Sequence, residues 1–188
     1  MPGCSSWPAP CLATAEFLGA TEILETLAVR TDETASLAIR DGNDIVILLQ
    51  AQSTAWLRVE RPVGTRIPLH VSAMGKALLA FGSEPPAAAI RALRPLAQLT
   101  PRSITAPRDL ERDLATRERG YAVVDEEQLV GLRSIAAPVL WPDGVARAAV
   151  GVAGPTARIT DERIPEIGRI VAAAAGAIQL HSSLGRML

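Results

Sequence analysis

Ile67-Pro68-Leu69-His70-Val71-Ser72-Ala73-Met74-Gly75-Lys76-Ala77-Leu78-Leu79-Ala80-Phe81 reads as an extended run that turns into a helix at Ser72. A serine at that point caps the helix by accepting a hydrogen bond from the second or third helical N–H, and Leu78, Leu79 and Phe81 give the helix an apolar side. The N–H groups of Ala73, Met74 and Gly75 point into whatever lies in front of the helix. The turn is therefore a candidate seat for a small anion, notably a carboxylate. The same residues also fit a capped core helix packed on a sheet.

Outward from this stretch, the chain has 188 residues, the size of one ordinary domain able to bury most of its apolar surface. Its 19 Lys and Arg nearly balance 20 Asp and Glu and are scattered, so no electrostatic footprint for nucleic acid is visible. Cys4 and Cys11 lie near the start beside Pro2, Pro8 and Pro10, with no further Cys or His nearby to complete a metal site. No cofactor or metal is expected. The N-terminal segment lacks the pattern of a signal peptide, and no apolar run reaches membrane-spanning length. A reduced cytoplasmic protein without a membrane partner is the expectation.

Upstream of the opening stretch, residues 1–19 are expected to be a tail or the start of a linker helix, and residues 20–188 one domain. Leu18, Ile23, Leu24, Leu27 and Ala28 have helical spacing, predicting a helix within Leu12–Val29. Thr34–Arg40 and Ile45–Gln52 are β-rich runs around the turn Asp41-Gly42-Asn43-Asp44, which predicts a hairpin, with a third strand expected at Leu57–Val59. Downstream, Pro85-Pro86 starts a short helix through Leu93. Asp109–Arg119 reads as a helix with Leu110 and Leu114 on one face and Arg112, Asp113, Arg117 and Glu118 on a solvated one. Strands are predicted at Tyr121–Val124, Ser134–Leu140 and Val145–Ala153, the last two joined by Pro142-Asp143-Gly144, before a closing helix over Asp161–Leu184. Strands and helices do not alternate regularly. The order predicts an α+β domain with a mainly antiparallel sheet covered by helices.

Catalytic motifs fit poorly. Gly75-Lys76 lacks the upstream glycine of a phosphate loop and has Ala77 where Ser or Thr is needed. His70 and Ser72 lie two apart with no carboxylate in sight to orient the histidine, so His70 reads as structural. Asp125-Glu126-Glu127 reads as a charged loop, lacking a spaced partner for acid–base or metal chemistry.

Two blocks carry a resemblance. Ile67 to Ala80 resembles a segment of the effector-binding domain of IclR-type transcriptional regulators. Gly120-Tyr121-Ala122-Val123, Glu126-Glu127, Gly131-Leu132-Arg133-Ser134-Ile135-Ala136-Ala137-Pro138-Val139 and Gly154-Pro155 resemble that family's second block. Leu99-Thr100-Pro101 and Ser103-Ile104-Thr105 match the arm between them. The likeness runs from about residue 20 to about residue 184, and two long, correctly separated blocks are more specific than one short motif.

The resemblance implies a GAF-like fold, a curved antiparallel sheet flanked by helices, with a pocket for a small organic effector, often a carboxylic or aromatic acid. It does not imply catalysis. Relatives hold the effector's carboxylate at the positions matching Ala73 and Met74, with further contacts at those matching Val124, Ser134, Gly151 and Ala153. Of these four, only Ser134 is polar here, so backbone donors at one end and apolar walls elsewhere are expected, with Ser72, Met74, Gly75, Leu69 and Leu78 around the site. That pocket suits one polar head on an apolar or aromatic body.

The family's regulators begin with a winged helix-turn-helix. Nothing in Met1–Leu18 is long or basic enough to form one, so DNA is expected to be reached only through a missing N-terminal domain. Assembly into dimers or tetramers is expected, with ligand shifting the assembly that holds DNA-binding pairs at operator spacing. Two other readings stand beside this one: an enzyme on a GAF-like pocket with Glu126 or Glu127 as base, and an assembly domain with a vestigial pocket.

Overall fold

In a computed structural model, residues 19–93, 95–114 and 118–184 are described, apart from the side chains of 181–184. The elements run α1 (Ala20–Thr31), β1 (Thr34–Asp41), β2 (Asp44–Ala51), β3 (Arg66–Pro68), α2 (Ala73–Ala80), α3 (Pro86–Ala92), α4 (Pro107–Asp113), β4 (Ala122–Asp125), β5 (Leu132–Leu140), β6 (Ala146–Pro155) and α5 (Ile164–Leu184). The strands make one sheet in the order β3-β2-β1-β6-β5-β4, antiparallel throughout. It is the α+β, GAF-like arrangement expected from the sequence.

Alternation along the strands separates two cores. Leu37, Ile135, Ala137, Val139, Val150 and Val152 face α1 and α5, where Leu24, Leu27, Ile167, Val171 and Ile178 complete a close-packed layer. The opposite face carries Ala38, Ile45, Ile47, Ile67, Val124, Ala136 and Ala149 against α2, α3 and α4. Both faces of the sheet are therefore covered, which is why β5 is buried at eight of its nine positions.

The first hairpin turns through Gly42, whose φ of 63° is open to glycine at no steric cost. The third strand is not at Leu57–Val59, as the sequence had suggested, but at Arg66–Pro68. Ile67 pairs with Ile45 and enters the core, whereas Trp56 and Leu57 are exposed with no neighbouring strand to pair them. Apolar content alone does not make a strand without a partner that buries it.

The expected helix at Leu12–Val29 is described from Ala20 onward, and the part before residue 19 lies outside the described residues, as do both cysteines. The helix expected at Asp109–Arg119 runs over Pro107–Asp113, with Leu114 as its C-cap.

Candidate functional site: the cleft at the start of α2

A single turn of 3-10 helix, Leu69–Val71, links β3 to α2. Ser72 keeps extended backbone angles and its Oγ accepts a hydrogen bond from the Gly75 N–H at 3.3 Å, while Lys76 N donates to Ser72 O at 2.8 Å. Ala73 and Met74 precede the first intrahelical bond, so their N–H groups are free of the helix ladder. Gly75 lies against the preceding turn. A Cβ there would sit 2.2 Å from Leu69 O, so only glycine lets the helix start come this close.

The sheet supplies the floor in front of this helix start. Ser36 lies opposite Gly151 and Gln50, and Gly151 opposite Ala136. On the next rung Thr34 faces Ala153, which faces Ser134, which faces Val124. Gln50 reaches this face because of a bulge. Leu37 pairs with Leu49 and Ala38 with Ile47, leaving Leu48 unpaired. A plain alternation from Ile45 and Ile47 would have put Leu49 and Ala51 over the cleft. The extra residue turns them toward α1 and α5 and puts Gln50 on the cleft side.

Ser72, Ala73, Met74, Ser134, Gly151 and Ala153, six of the residues singled out from the sequence, line one cavity together with Thr34, Ser36, Gln50, Val59 and Arg61. Leu69, Gly75, Leu78 and Val124 do not line it. Leu69, Leu78 and Val124 pack in the core beneath the helix, and the Gly75 N–H is occupied by the cap. The walls are more polar than expected, because β1, β2 and the β2–β3 loop contribute hydroxyls, an amide and a guanidinium that no motif had marked. Thr34, Ser36 and Gln50 become legible only once the register and its bulge are known.

The cavity is tight, at ≈ 10 Å3, about the room needed for one water. Val59 and Arg61, part of its wall, also line a larger and more open cavity of ≈ 430 Å3 beside Gln128, Leu129 and Pro155. The Arg61 guanidinium donates to Gln128 Oε1 at 2.6 Å, and desolvation alone pulls its pKa down to about 10.

Behind the helix start lies a separate ionic cluster. Lys76, wholly buried, places Nζ 2.6 Å from Glu127 Oε1 and 2.6 Å from Asp113 Oδ2. Glu127 and Asp113 thus face inward, correcting the charged loop and the solvated helix face expected for them. Glu126, with φ of 58°, makes the reversal that turns Glu127 in. Thr100 Oγ1 donates to Glu126 O at 2.7 Å and Ser103 Oγ to Glu127 O at 2.6 Å, so the arm between the two sequence blocks pins this turn. Burial pushes the Glu127 carboxyl above its ordinary value, against the pull of Lys76. Oε1 of Glu127 is held by Lys76, while its Oε2 is buried without a hydrogen-bond partner among the described residues. His70 Nε2 lies 2.9 Å from Ala97 O, a structural contact. Among the described residues no group of three metal-ligating side chains is found, and no helix is long and apolar enough to cross a membrane.

Residues 17–180 match the family described as Bacterial transcriptional regulator IclR C-terminal. The chain is 37% identical over 161 residues to the transcriptional repressor IclR of Escherichia coli strain K12, a match covering 84% of this chain and 59% of that repressor. The crystal structure of the C-terminal domain of the E. coli transcriptional regulator KdgR superposes with a TM-score of 0.78 at 31% identity, covering 89% of this chain and 98% of that domain. The inducer-binding domain of a double mutant of the Acinetobacter transcription factor PobR, solved as its complex with 3-hydroxybenzoic acid, superposes with a TM-score of 0.77 at 25% identity, covering 87% and 97%.

A six-stranded curled sheet of this order, covered by helices on both faces, defines a regulatory effector-binding domain. The chain belongs to the IclR family of transcriptional regulators, whose C-terminal domain it carries. The E. coli homologue is a transcriptional repressor, not an enzyme, and the chain spans 59% of that relative's length.

Proposed function

We propose that this chain senses a small organic or aromatic acid in the cleft at the start of α2. The observation that carries the reading is the convergence of Ser72, Ala73 and Met74 with Ser134 and the small residues Gly151 and Ala153 on one cavity. Amides outside the helix ladder at the positive end of a helix suit a carboxylate head. Met74, Val59 and the methyl groups of Ala136 and Ala153 suit an apolar body. The PobR neighbour's 3-hydroxybenzoic acid belongs to the same chemical class. The domain works in the cytoplasm as a homo-oligomer, dimer or tetramer, and residues 20–188 form the sensing unit. DNA is contacted through a domain outside this match, and the ligand acts by favouring one assembly over another.

Native mass spectrometry of the purified chain with a panel of aromatic and aliphatic acids reads ligand mass and subunit count together. One acid retained per subunit, with a raised unfolding temperature, is the expected result. Retention of none of the panel would remove the sensor reading and leave a domain for assembly alone. Stabilisation by glyoxylate-sized compounds only would remove the apolar body from it.

A further inference from the structure

Resting on that reading, and going beyond it to the chemistry of recognition, the geometry points to Arg61 as the residue that pairs with the ligand's carboxylate, with Gln50 Nε2 as a second donor. Three observations independent of the helix start support this.

The first is an imbalance of charge. Among the described residues, Arg133 is paired with Asp125 and Asp161, and Arg158 makes two hydrogen bonds to the buried Glu33, at 2.7 and 2.6 Å. Arg61 has no carboxylate partner among the described residues. It meets one neutral acceptor, on Gln128, and its guanidinium is depressed by burial with no opposing anion. Arg61 is partly buried, and a carboxylate entering the cleft would give its guanidinium a charged partner in bidentate geometry.

The second is an unmade hydrogen bond. Gln50 Nε2 is buried and has no partner among the described residues, an amide donor whose desolvation is uncompensated there. The bulge at Leu48 places this side chain on the cleft face, opposite Ser36. The third is position: Arg61 lines both the cleft and the larger, more open cavity, so a ligand reaching from one into the other lies against it. Arg61 is therefore a specificity-determining residue, and the cleft distinguishes an acid from its own neutral amide.

Isothermal titration calorimetry with 3-hydroxybenzoate and hexanoate, each against its primary amide, tests this. Wild type is expected to favour the acids by about tenfold or more. Arg61→Gln should weaken acid binding by a similar factor while moving amide binding by less than about threefold, and Arg61→Lys should restore part of the difference. Gln50→Met, close in shape, should weaken the acids by about threefold. If Arg61 merely closes the loop, stability will move and the acid-to-amide ratio will not.

Acids and amides bound alike by wild type, a comparison needing no variant, would overturn the assignment of Arg61 and leave the cleft a receptor. So would acids bound unchanged by Arg61→Gln. Failure of both acids to bind would overturn the receptor reading and this inference together.

Discussion

Lys76 Nζ lies 2.6 Å from Glu127 Oε1, joining the first turn of α2 to the segment after β4 across the core, with the lysine side chain wholly buried. Removing one member of such a pair strands the other charge. Lys76→Met is expected to lower unfolding free energy by about 3–5 kcal/mol, measured by urea denaturation. Adding Glu127→Gln should recover part of the loss, because the double variant no longer buries the Glu127 charge. Strictly additive losses would show that the two side chains do not interact.

Ser72 has two separable roles. Ser72→Ala should cost about 1 kcal/mol through loss of the cap. Ser72→Asp caps equally well and should keep most of that stability, yet it places a negative charge at the seat proposed for the carboxylate. It should therefore weaken acid binding by more than Ser72→Ala does, which calorimetry on the folded variants can read.

Two glycines should respond in opposite directions. Gly75→Ala drives a methyl against Leu69 O at 2.2 Å, where backbone rather than a flexible side chain must move, and should destabilise by about 3 kcal/mol. Gly176, within α5, has open space where a Cβ would go. Gly176→Ala should raise stability by about 0.5–1 kcal/mol. Thermal unfolding of the two variants side by side checks both.

The carboxylates of the β4 corner titrate with opposite signs. Burial pushes Asp125 up, but Arg133 and Arg102 outweigh it and hold the carboxyl below its ordinary 3.8. A folded value below the unfolded one gives stability that is present above the unfolded value and lost as pH falls through the folded one. Glu127 is held above its ordinary 4.5 by burial, so its contribution is present at lower pH and fades as pH rises through the folded value. In urea midpoints measured from about pH 2 to 7, Asp125→Asn should shrink the loss on the acid side. Glu127→Gln should instead remove a decline above the ordinary glutamate range.

Much of this was legible in the residues because the signals were local. A serine before an apolar helix marked the start of α2, and Gly42 marked the first hairpin. Long-range pairing was not legible. Leu57–Val59 looked as strand-like as Arg66–Pro68, and only the partner Ile45 decides between them. The change of parity at Leu48 decides whether Leu49 or Gln50 meets the cleft, and nothing in the alternation of β2 announces it. Arg61 sits in a loop without motif, and its interest lies in having no carboxylate partner among the described residues. Lys76 drew notice as half of a failed phosphate loop, whereas its use is to neutralise acids brought from residues 113 and 127.

The wall shared by the two cavities bears on how sensitive such a receptor can be. On the proposed reading, an acid larger than water needs lining side chains displaced from a cleft of ≈ 10 Å3, and the work of doing so is subtracted from the intrinsic affinity. Were the displaced form present in one molecule in about a hundred, half-saturation would need roughly a hundredfold more metabolite than the exposed seat itself requires. On that reading the β2–β3 loop, which brings Val59 and Arg61 to the shared wall, bears on the concentration answered as well as on the choice of acid.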